Sequence, residues 1–278
     1  MTGWAHIPST IDPILFSLGH LQVRWYGLMY VAAFITVYVM VRYRIRTEQY
    51  GFSEDTVADF MLWVILGVLV GGRIGYIFFY DFHYFLAHPL RIILPFTFEG
   101  GFQFTGISGM SYHGGLLGVL AAFLFFCRKR SIDFWRFTDL FIPPIALAYT
   151  FGRIGNFLNG ELYGRATTAC WGMYFPQDTE HMLRHPSQLY EAFFEGIFLF
   201  SILWPLRKKN VFGGFLFSLY FIGYGTVRFF IEFTREPDAH IGLFAGIFSM
   251  GQLLCFGMIL TGICIYLAQL KKFRRRKS

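Results

Sequence analysis

Residues 151–165 place charged and amide side chains in an apolar background. They read FGRIGNFLNGELYGR, with Arg153, Asn156 and Glu161 separated by glycines and apolar residues. Arg153 and Asn156 are three positions apart, so on a helix both side chains reach one ligand. A guanidinium presents a planar pair of donors that matches a phosphate or a carboxylate. Gly160 predicts that the helix ends there and that Glu161 folds back toward it.

A second polar stripe follows helical spacing nearer the C-terminus. Tyr224, Arg228 and Glu232 follow one another at intervals of four positions, which puts them on one helix face. Arg235 extends this stripe, about 10 Å from Arg228 along the axis at a rise of 1.5 Å per residue.

The preceding apolar segment carries a matching face. Gln188, Glu191 and Glu195 share it, and Glu191 is expected at a depth similar to that of Arg228. Two facing polar stripes describe a cavity for an anionic headgroup. The alternative is that both stripes only hold packed helices together.

The basic residues on the predicted outer side of the apolar segments, or in their outer halves, are all arginine. These eight are Arg24, Arg73, Arg91, Arg153, Arg165, Arg184, Arg228 and Arg235. Placing a guanidinium in a membrane costs about 2.5 to 3.5 kcal/mol, so each needs a compensating partner. One interpretation is a set of structural ion pairs with Glu161, Glu191, Glu232 and Asp238. The other is an outward-facing site for an anion.

A short internal similarity involves Arg73. GGRIGY at 71–76 resembles FGRIGN at 151–156, and each places a glycine-flanked arginine at the end of an apolar segment. The glycines allow close helix packing, and they also let backbone amides approach an anion.

The composition indicates which elements position these residues. Apolar residues make up 55% of 278, aromatic residues 21% and charged residues 15%, which is typical of an integral membrane protein. Segments of the length that crosses a bilayer, roughly 17 to 25 residues, occur about seven times. The predicted fold is an all-α bundle of about seven transmembrane helices, without strands, near 19–41, 57–79, 113–127, 137–158, 187–206, 214–234 and 246–269.

Basic residues predict the orientation of this bundle. They cluster in every second connection, at Arg42 to Arg46, Arg128 to Arg136, Arg207 to Lys209 and Lys271 to Lys277. The positive-inside rule makes these connections cytoplasmic, so the N-terminus is expected outside and the C-terminus inside. The chain is predicted to be a single polytopic domain over 1–278, with residues 159–186 as an outer loop region and the polar cavity at the outer face.

Other classes of chemistry lack their sequence patterns. The eight histidines are dispersed, and no zinc or aspartate-rich motif is present, so no metal and no cofactor are expected. Nucleic acid is not expected as a partner, because the inner connections explain the net charge of +7.

The polar motifs resemble those of the bacterial prolipoprotein diacylglyceryl transferase family. GRIGNFLNGELYG at 152–164 matches the family pattern Gly-Arg-x-Gly-Asn-Phe-x-Asn-x-Glu-x-x-Gly. The similarity continues through WYGLMY at 25–30, GGRIGY at 71–76, SYHGGLLG at 111–118, RHPSQLYE at 184–191, GYG at 223–225, RFFIEFTREPD at 228–238 and SMGQ at 249–252.

This resemblance implies a reaction and the residues that carry it. Members move the diacylglyceryl group of phosphatidylglycerol to the thiol of the cysteine after a lipoprotein signal peptide, and glycerol phosphate leaves. The expected partners are therefore phosphatidylglycerol, a prolipoprotein signal peptide with its lipobox cysteine, and membrane lipids. The catalytic candidates are His113, Arg153 and Arg228. The substrate-binding candidates are Tyr26, Arg73, Asn156, Glu161, Gly164, His185, Glu191, Tyr224, Glu232 and Arg235.

Deprotonation of the acceptor thiol has two explanations. Histidine is the side chain whose chemistry best suits proton transfer near neutrality, so His113 is the candidate base. Alternatively, a nearby arginine lowers the pKa of the thiol, and His113 is structural. Gly164 is expected to keep the backbone close to the substrate, although an ordinary turn also explains it.

Two other functions compete with the transferase. A transporter for organic anions would use the same arginines, but it predicts a polar path through the whole membrane, and the inner halves of the segments are apolar. A lipid-binding structural protein would bind phosphatidylglycerol without transferring it. The resemblance favours a transferase in the bacterial inner membrane with its site toward the outer face.

Overall fold

A computed structural model gives the arrangement of the chain. It describes residues 3–18, 21–48, 50–80, 82–88, 96–97, 103–104, 110–209, 211–236, 243–244 and 248–276. The long helices in this part are α1 (Trp25–Glu48), α2 (Glu54–Tyr80), α3 (Tyr112–Lys129), α4 (Phe134–Leu158), α5 (Ser187–Lys209), α6 (Phe215–Thr234) and α7 (Met250–Arg275). Each predicted apolar segment overlaps one of them.

Five of these helices are long and apolar enough to cross a membrane. They are α1, α2, α5, α6 and α7, and large apolar side chains on them, such as Leu62 and Leu254, are exposed. This agrees with helices that face lipid and supports an integral membrane protein. Helix α3 has only 18 residues and ends in two basic ones. Helix α4 contains Asp139, Arg153 and two prolines, so crossing by α3 and α4 stays a prediction.

Within the described residues the long elements are all helices, as predicted, and short strands that were not predicted accompany them. Three antiparallel hairpins pair β1 (Ile14–Leu18) with β2 (Leu21–Arg24), β3 (Phe96–Thr97) with β4 (Gln103–Phe104), and β5 (Leu243–Phe244) with β6 (Phe248–Ser249). In the first hairpin Ile14 pairs with Arg24 and Ser17 with Gln22. The first predicted span, 19–41, therefore begins as a strand, and its helix starts at Trp25. Hydrogen bonds between the paired strands satisfy backbone N–H and C=O groups in segments that lie outside the long helices.

Helix α5 is irregular where its glutamates lie. It is α-helical over Ser187–Glu191, a π-helix over Ala192–Phe198 and α-helical again over Leu199–Leu206. π-Helical segments widen the turn and are frequent at functional sites. Gly196 lies so close to Thr150 of α4 that a Cβ there would collide with the threonine hydroxyl. A glycine is therefore required for α4 and α5 to approach each other.

The chain forms two compact units, residues 1–50 with 135–278, and residues 51–134. In the first unit a core of Ile142, Ala146, Leu203, Phe212, Phe215 and Leu216 joins α4, α5 and α6. Helices α6 and α7 pack closely, because a Cβ at Gly225 would lie 2.9 Å from the carbonyl oxygen of Cys255.

The second unit contains α2 and α3, which touch through glycines. A Cβ at Gly71 would lie 2.6 Å from Cα of Gly118, and a Cβ at Gly75 would lie 2.6 Å from Cα of Gly114. Small residues on both helices thus let the backbones come into contact, as in other membrane helix pairs.

Polar contacts fix the start of α6 in the first unit. Both carboxylate oxygens of the buried Asp139 accept backbone hydrogen bonds there, from Gly214 at 2.8 Å and Phe217 at 2.9 Å. Arg44 of α1 is fully buried and donates to the Asp139 carbonyl oxygen at 2.8 Å. These contacts set the position of α6, whose other end carries the arginine stripe.

Candidate functional site

The motif at residues 151–165 forms a helix end with a reversal of the chain. Helix α4 stops at Leu158, and Gly160 adopts a left-handed conformation with φ of +70°. The Glu161 amide then donates to the Asn156 carbonyl oxygen at 3.1 Å. Asn156 Nδ2 also donates to Glu161 Oε1 at 2.8 Å. The predicted helix break and return of Glu161 are therefore confirmed.

Arg153 projects from α4 toward α5. Its Nε lies 2.8 Å from Glu191 Oε2 and donates to the Tyr149 hydroxyl at 2.7 Å. Its Nη1 donates to Asn156 Oδ1 at 3.3 Å. Arg153 and Glu161 are thus linked through Asn156 rather than as an ion pair. Of the structural ion pairs considered above, those with Glu191 and Glu232 are present, whereas the reversal of the chain brings Glu161 to Asn156, and Glu191 occupies the place beside Arg153.

Two arginines of the α6 stripe reach the same carboxylate. Arg228 Nη1 lies 3.0 Å from Glu191 Oε2, and Arg235 Nη1 lies 2.7 Å from Glu191 Oε1. Glu191 therefore contacts three guanidiniums. We call Arg153, Arg228, Arg235 and Glu191 the arginine cluster. The expected common depth of Glu191 and Arg228 is confirmed by their contact.

Two further glutamates border the arginine cluster. Arg228 lies 3.4 Å from Glu195 Oε1 and 3.4 Å from Glu232 Oε2, and Arg235 Nε lies 3.7 Å from Glu232 Oε2. Ser249 Oγ donates to Glu232 Oε1 at 3.2 Å. Among the described residues, Glu195 Oε2 has no hydrogen-bond partner. Asp238, the remaining acidic residue predicted to pair with these arginines, lies outside the described residues.

The three arginines are partly exposed to solvent, whereas the carboxylate that they share is buried. The Arg153, Arg228 and Arg235 side chains are 20%, 16% and 21% exposed, whereas Glu191 is 0% exposed. The guanidiniums thus reach the surface of the unit above a buried anion. Removing one partner of such a buried set leaves an uncompensated charge and costs about 3 to 5 kcal/mol.

Tyrosines complete the surroundings of the cluster in the first unit. The Tyr224 hydroxyl lies 3.4 Å from that of Tyr149, which donates to Glu191 Oε2 at 3.4 Å. Tyr26 of α1 bonds Tyr30 through their hydroxyls at 3.0 Å. Its ring approaches α4 at Gly155, where an added Cβ would lie 3.2 Å from Tyr26 Cδ2.

Gly164 joins the returning chain to the end of α6. Its amide donates to the His185 carbonyl oxygen at 2.9 Å, and it forms a β-bridge with Arg235. A Cβ at Gly164 would collide with the Thr234 carbonyl oxygen. His185 Nδ1 lies 3.1 Å from the Tyr190 hydroxyl, and partial burial holds the pKa of His185 below its usual value. The backbone at Gly164 lies close to the end of α6, and its approach to the substrate stays a prediction.

His113 and Arg73 belong to the second unit. His113 is exposed in the first turn of α3, whose N-cap Ser111 accepts a hydrogen bond from the Gly114 amide at 3.3 Å. Arg73 of α2 places its guanidinium 4.9 Å from the centre of the Phe85 ring. Both remain candidates from the sequence alone.

Tyr149 was not among the candidates predicted from the sequence, and Glu195 had no predicted role. Tyr149 lies one helical turn before Arg153, and its hydroxyl connects Arg153, Glu191 and Tyr224. The four-residue spacing between Tyr149 and Arg153 was the feature of the sequence that could have identified Tyr149. Glu195 was placed on the correct face of α5, but its contact with Arg228 depends on how α5 and α6 pack.

Comparisons with known proteins identify the family of this chain. The family model described as prolipoprotein diacylglyceryl transferase matches residues 13–268. The chain is 56% identical over 265 residues to the phosphatidylglycerol–prolipoprotein diacylglyceryl transferase of Chlorobaculum tepidum, covering 95% of this chain and 92% of that protein. It is 44% identical to the protein of the same name from Bordetella avium, covering 95% and 97%.

A third similar protein comes from Geobacter sulfurreducens. It carries the same name and is 46% identical over 253 residues, covering 91% of this chain and 93% of its own length. The family match includes the whole of the arginine cluster. The chain belongs to the prolipoprotein diacylglyceryl transferase family.

Proposed function

We propose that this protein transfers the diacylglyceryl group of phosphatidylglycerol to the lipobox cysteine of prolipoproteins, the first step of lipoprotein maturation. The observation that carries the proposal is the convergence of three arginines on Glu191 in a member of this family. The names of the similar proteins include both substrates.

The charges of the site suit a phosphodiester. Three arginines and the three glutamates that contact them, Glu191, Glu195 and Glu232, sum to zero formal charge. The partly exposed guanidiniums can therefore receive one negative phosphate without burying a net positive charge beforehand. The carboxylates hold the guanidiniums in place before the substrate arrives, which lowers the reorganisation needed during reaction.

The reaction balances without a cofactor. The acceptor thiolate attacks the diacylglyceryl carbon that carries the phosphate oxygen, so a C–S bond forms and that C–O bond breaks. The electron pair of the broken bond stays on the leaving glycerol phosphate, and its added negative charge develops in the transition state. Arg153 and Arg228 stabilise this charge, and Arg235 binds the same headgroup.

The remaining site residues bind the substrate or position the arginines. Asn156, Tyr26 and Tyr224 form hydrogen bonds with the headgroup, and Glu161 orients Asn156. Glu191 and Glu232 position the arginines. Gly164 and His185 hold the returning chain against α6, and Arg73 binds anionic substrate.

The thiol proton leaves by one of the two routes stated above. His113 accepts it as a general base, or the arginines lower the pKa of the thiol so that solvent accepts it. A pH profile of His113→Gln separates these routes, because only the first requires His113 for activity near neutral pH.

The proposed location is the bacterial inner membrane, with the arginine cluster toward the outer face. Seven spans, an outer N-terminus and an inner C-terminus follow from the basic connections. The five candidate spans and the ends of α1 and α5, which carry Arg42 to Arg46 and Arg207 to Lys209, support this arrangement.

One assay tests the function directly. Purified protein is incubated with phosphatidylglycerol and a lipobox peptide, and the peptide is weighed by mass spectrometry. We expect addition of one diacylglyceryl group, much slower addition with Arg153→Gln, and no addition when the peptide cysteine is replaced by serine. Binding of phosphatidylglycerol without transfer would favour the lipid-binding protein. Passage of organic anions into liposomes, without transfer, would favour the transporter.

A further inference from the structure

A groove lies on the chain that follows α4, outside the arginine cluster. Its volume is about 580 Å³, and it is lined by Ala166, Thr167, Thr168, Tyr174, His181, Met182 and Leu183. This volume lies within the range of ligand pockets, about 300 to 1,000 Å³. Among the described residues that line it there is no acidic side chain, no lysine and no arginine, so the groove is unsuited to a second phosphate. Small, hydroxyl and apolar side chains instead suit an uncharged ligand.

The floor of the groove is built from short extended segments. Ala166 and Arg184 form an antiparallel bridge, and the Thr167 amide donates to the Leu183 carbonyl oxygen at 2.8 Å. Arg184 also pairs with Met173 on its other side. On the segment that runs from Ala166 to Thr168, both of these residues are exposed. An extended polypeptide is a ligand that binds along such a segment through its backbone and places alternate side chains in the groove.

The groove begins close to the arginine cluster along the chain. Gly164 bridges Arg235, and the Arg165 amide donates to the Thr234 carbonyl oxygen at 2.9 Å. Arg165 Nε also donates to the Arg235 carbonyl oxygen. Two residues of extended chain, about 7 Å, separate Gly164 from Ala166. An extended peptide in the groove therefore reaches the segment that carries Arg235 within two or three residues.

The chemistry of the second substrate identifies the occupant. The acceptor in the proposed function is a polypeptide that must bring one cysteine thiol to the arginine cluster, while its neighbouring residues lie elsewhere. We propose that the groove binds the residues next to the acceptor cysteine in extended form and so sets which cysteine is modified. This inference rests on the proposed function, and it assigns acceptor recognition to residues 166–168 and 181–183.

A binding experiment tests the groove without requiring turnover. The probe is a fluorescent lipobox peptide with serine in place of cysteine, added to the full chain in nanodiscs of phosphatidylcholine. We expect Thr168→Trp, which fills the groove, to weaken binding at least tenfold, and Met182→Ala to weaken it three- to fivefold. Cys170→Trp is the matched control, because it adds the same bulk at an exposed position that does not line the groove. Arg153→Gln should bind the probe normally.

Kinetics separate acceptor recognition from a general defect. We expect Thr168→Trp to raise KM for the reactive peptide at least tenfold, while KM for phosphatidylglycerol stays within twofold. Unchanged peptide binding and unchanged peptide KM in both groove variants would overturn the inference. A raised KM for phosphatidylglycerol alone would also overturn it, because the groove would then serve the lipid. If the parent chain binds the probe at the groove but transfers nothing, the proposed function fails and the peptide site stands.

Discussion

Glu191 is the side chain on which the geometry of the arginine cluster depends. It is fully buried and contacts guanidiniums from α4 and α6, so one carboxylate fixes groups from two helices. Under the proposed function, a phosphate entering the site would find arginines already oriented by Glu191. The same contacts explain why arginine rather than lysine occupies these positions, since only a guanidinium offers several fixed donors to two anions at once.

The guanidinium of Arg228, with its several hydrogen-bond donors, provides a first prediction about a single residue. Arg228→Lys keeps the charge but loses the second donor that reaches Glu232, so we expect transfer to fall tenfold or more. Arg130→Lys is the control, because Arg130 forms an ion pair with Asp59 in which both side chains are about half exposed. Such pairs are worth about 0 to 1 kcal/mol, so this variant should retain normal activity. Equal losses in the two variants, measured by peptide mass, would remove the case for Arg228.

Arg153 and Glu161 allow a double-mutant test. Arg153→Gln should reduce turnover by about 10² to 10³, the cost typical of losing one charge-stabilising donor. Glu161→Gln should reduce it less, because Glu161 acts through Asn156. The double variant should be as inactive as Arg153→Gln, since the two side chains are not paired. Recovery of activity in the double variant, at matched membrane levels, would contradict this account.

At the scale of elements, glycines decide how closely the helices pack. In the second unit a Cβ at Gly71 would overlap the backbone of Gly118, whereas Gly257 of α7 has open space around it. Gly71→Ala should therefore destabilise the protein by about 1 to 3 kcal/mol through overpacking. Gly257→Ala should be neutral or stabilising, because alanine favours a helix by about 1 kcal/mol. Thermal unfolding in detergent compares them, and similar melting temperatures would argue against close contact of α2 with α3.

The chain between α4 and α5 is stabilised by a buried ion pair. Arg184 donates to both oxygens of Asp178, at 2.8 and 2.9 Å, and this bond holds the pKa of Asp178 below its ordinary value. A lowered folded pKa contributes stability above the unfolded pKa of about 3.9 and loses it as the pH falls through the folded value. Protease resistance of residues 159–186 should therefore fall below about pH 4.

Asp178→Asn isolates this contribution. The variant lacks the titrating group, so it should be less resistant than the parent at neutral pH and should lose less resistance on acidification. A parent and variant that respond identically to acid would show that another group governs the segment.

For the whole molecule, the arrangement in the membrane is the main prediction. A reporter that works only in the cytoplasm should be active when fused after Lys209 or Ser278 and inactive after Thr179. The reason is that basic residues flank the first two positions, while Thr179 lies in the predicted outer segment. A fusion active after Thr179 would contradict the outward orientation proposed for the arginine cluster.

The sequence by itself determined the class of protein, the positions of the long helices and the two polar stripes. Apolar length and helical spacing are local properties, and they require no knowledge of neighbours. The break at Gly160 was equally predictable, because a left-handed residue ends a helix wherever it occurs. The motifs that carry the family resemblance are also local properties of the sequence.

Only the tertiary structure decided which charges meet. Three arginines could have paired with any of several glutamates, and the choice of Glu191 depends on how α4, α5 and α6 pack around the π-helical turn and Gly196. Tyr149, the groove and the link from Gly164 to Arg235 arise in the same way. Helical spacing specifies the face on which a side chain lies, whereas its partner depends on the rotation and separation of another helix, which distant contacts set.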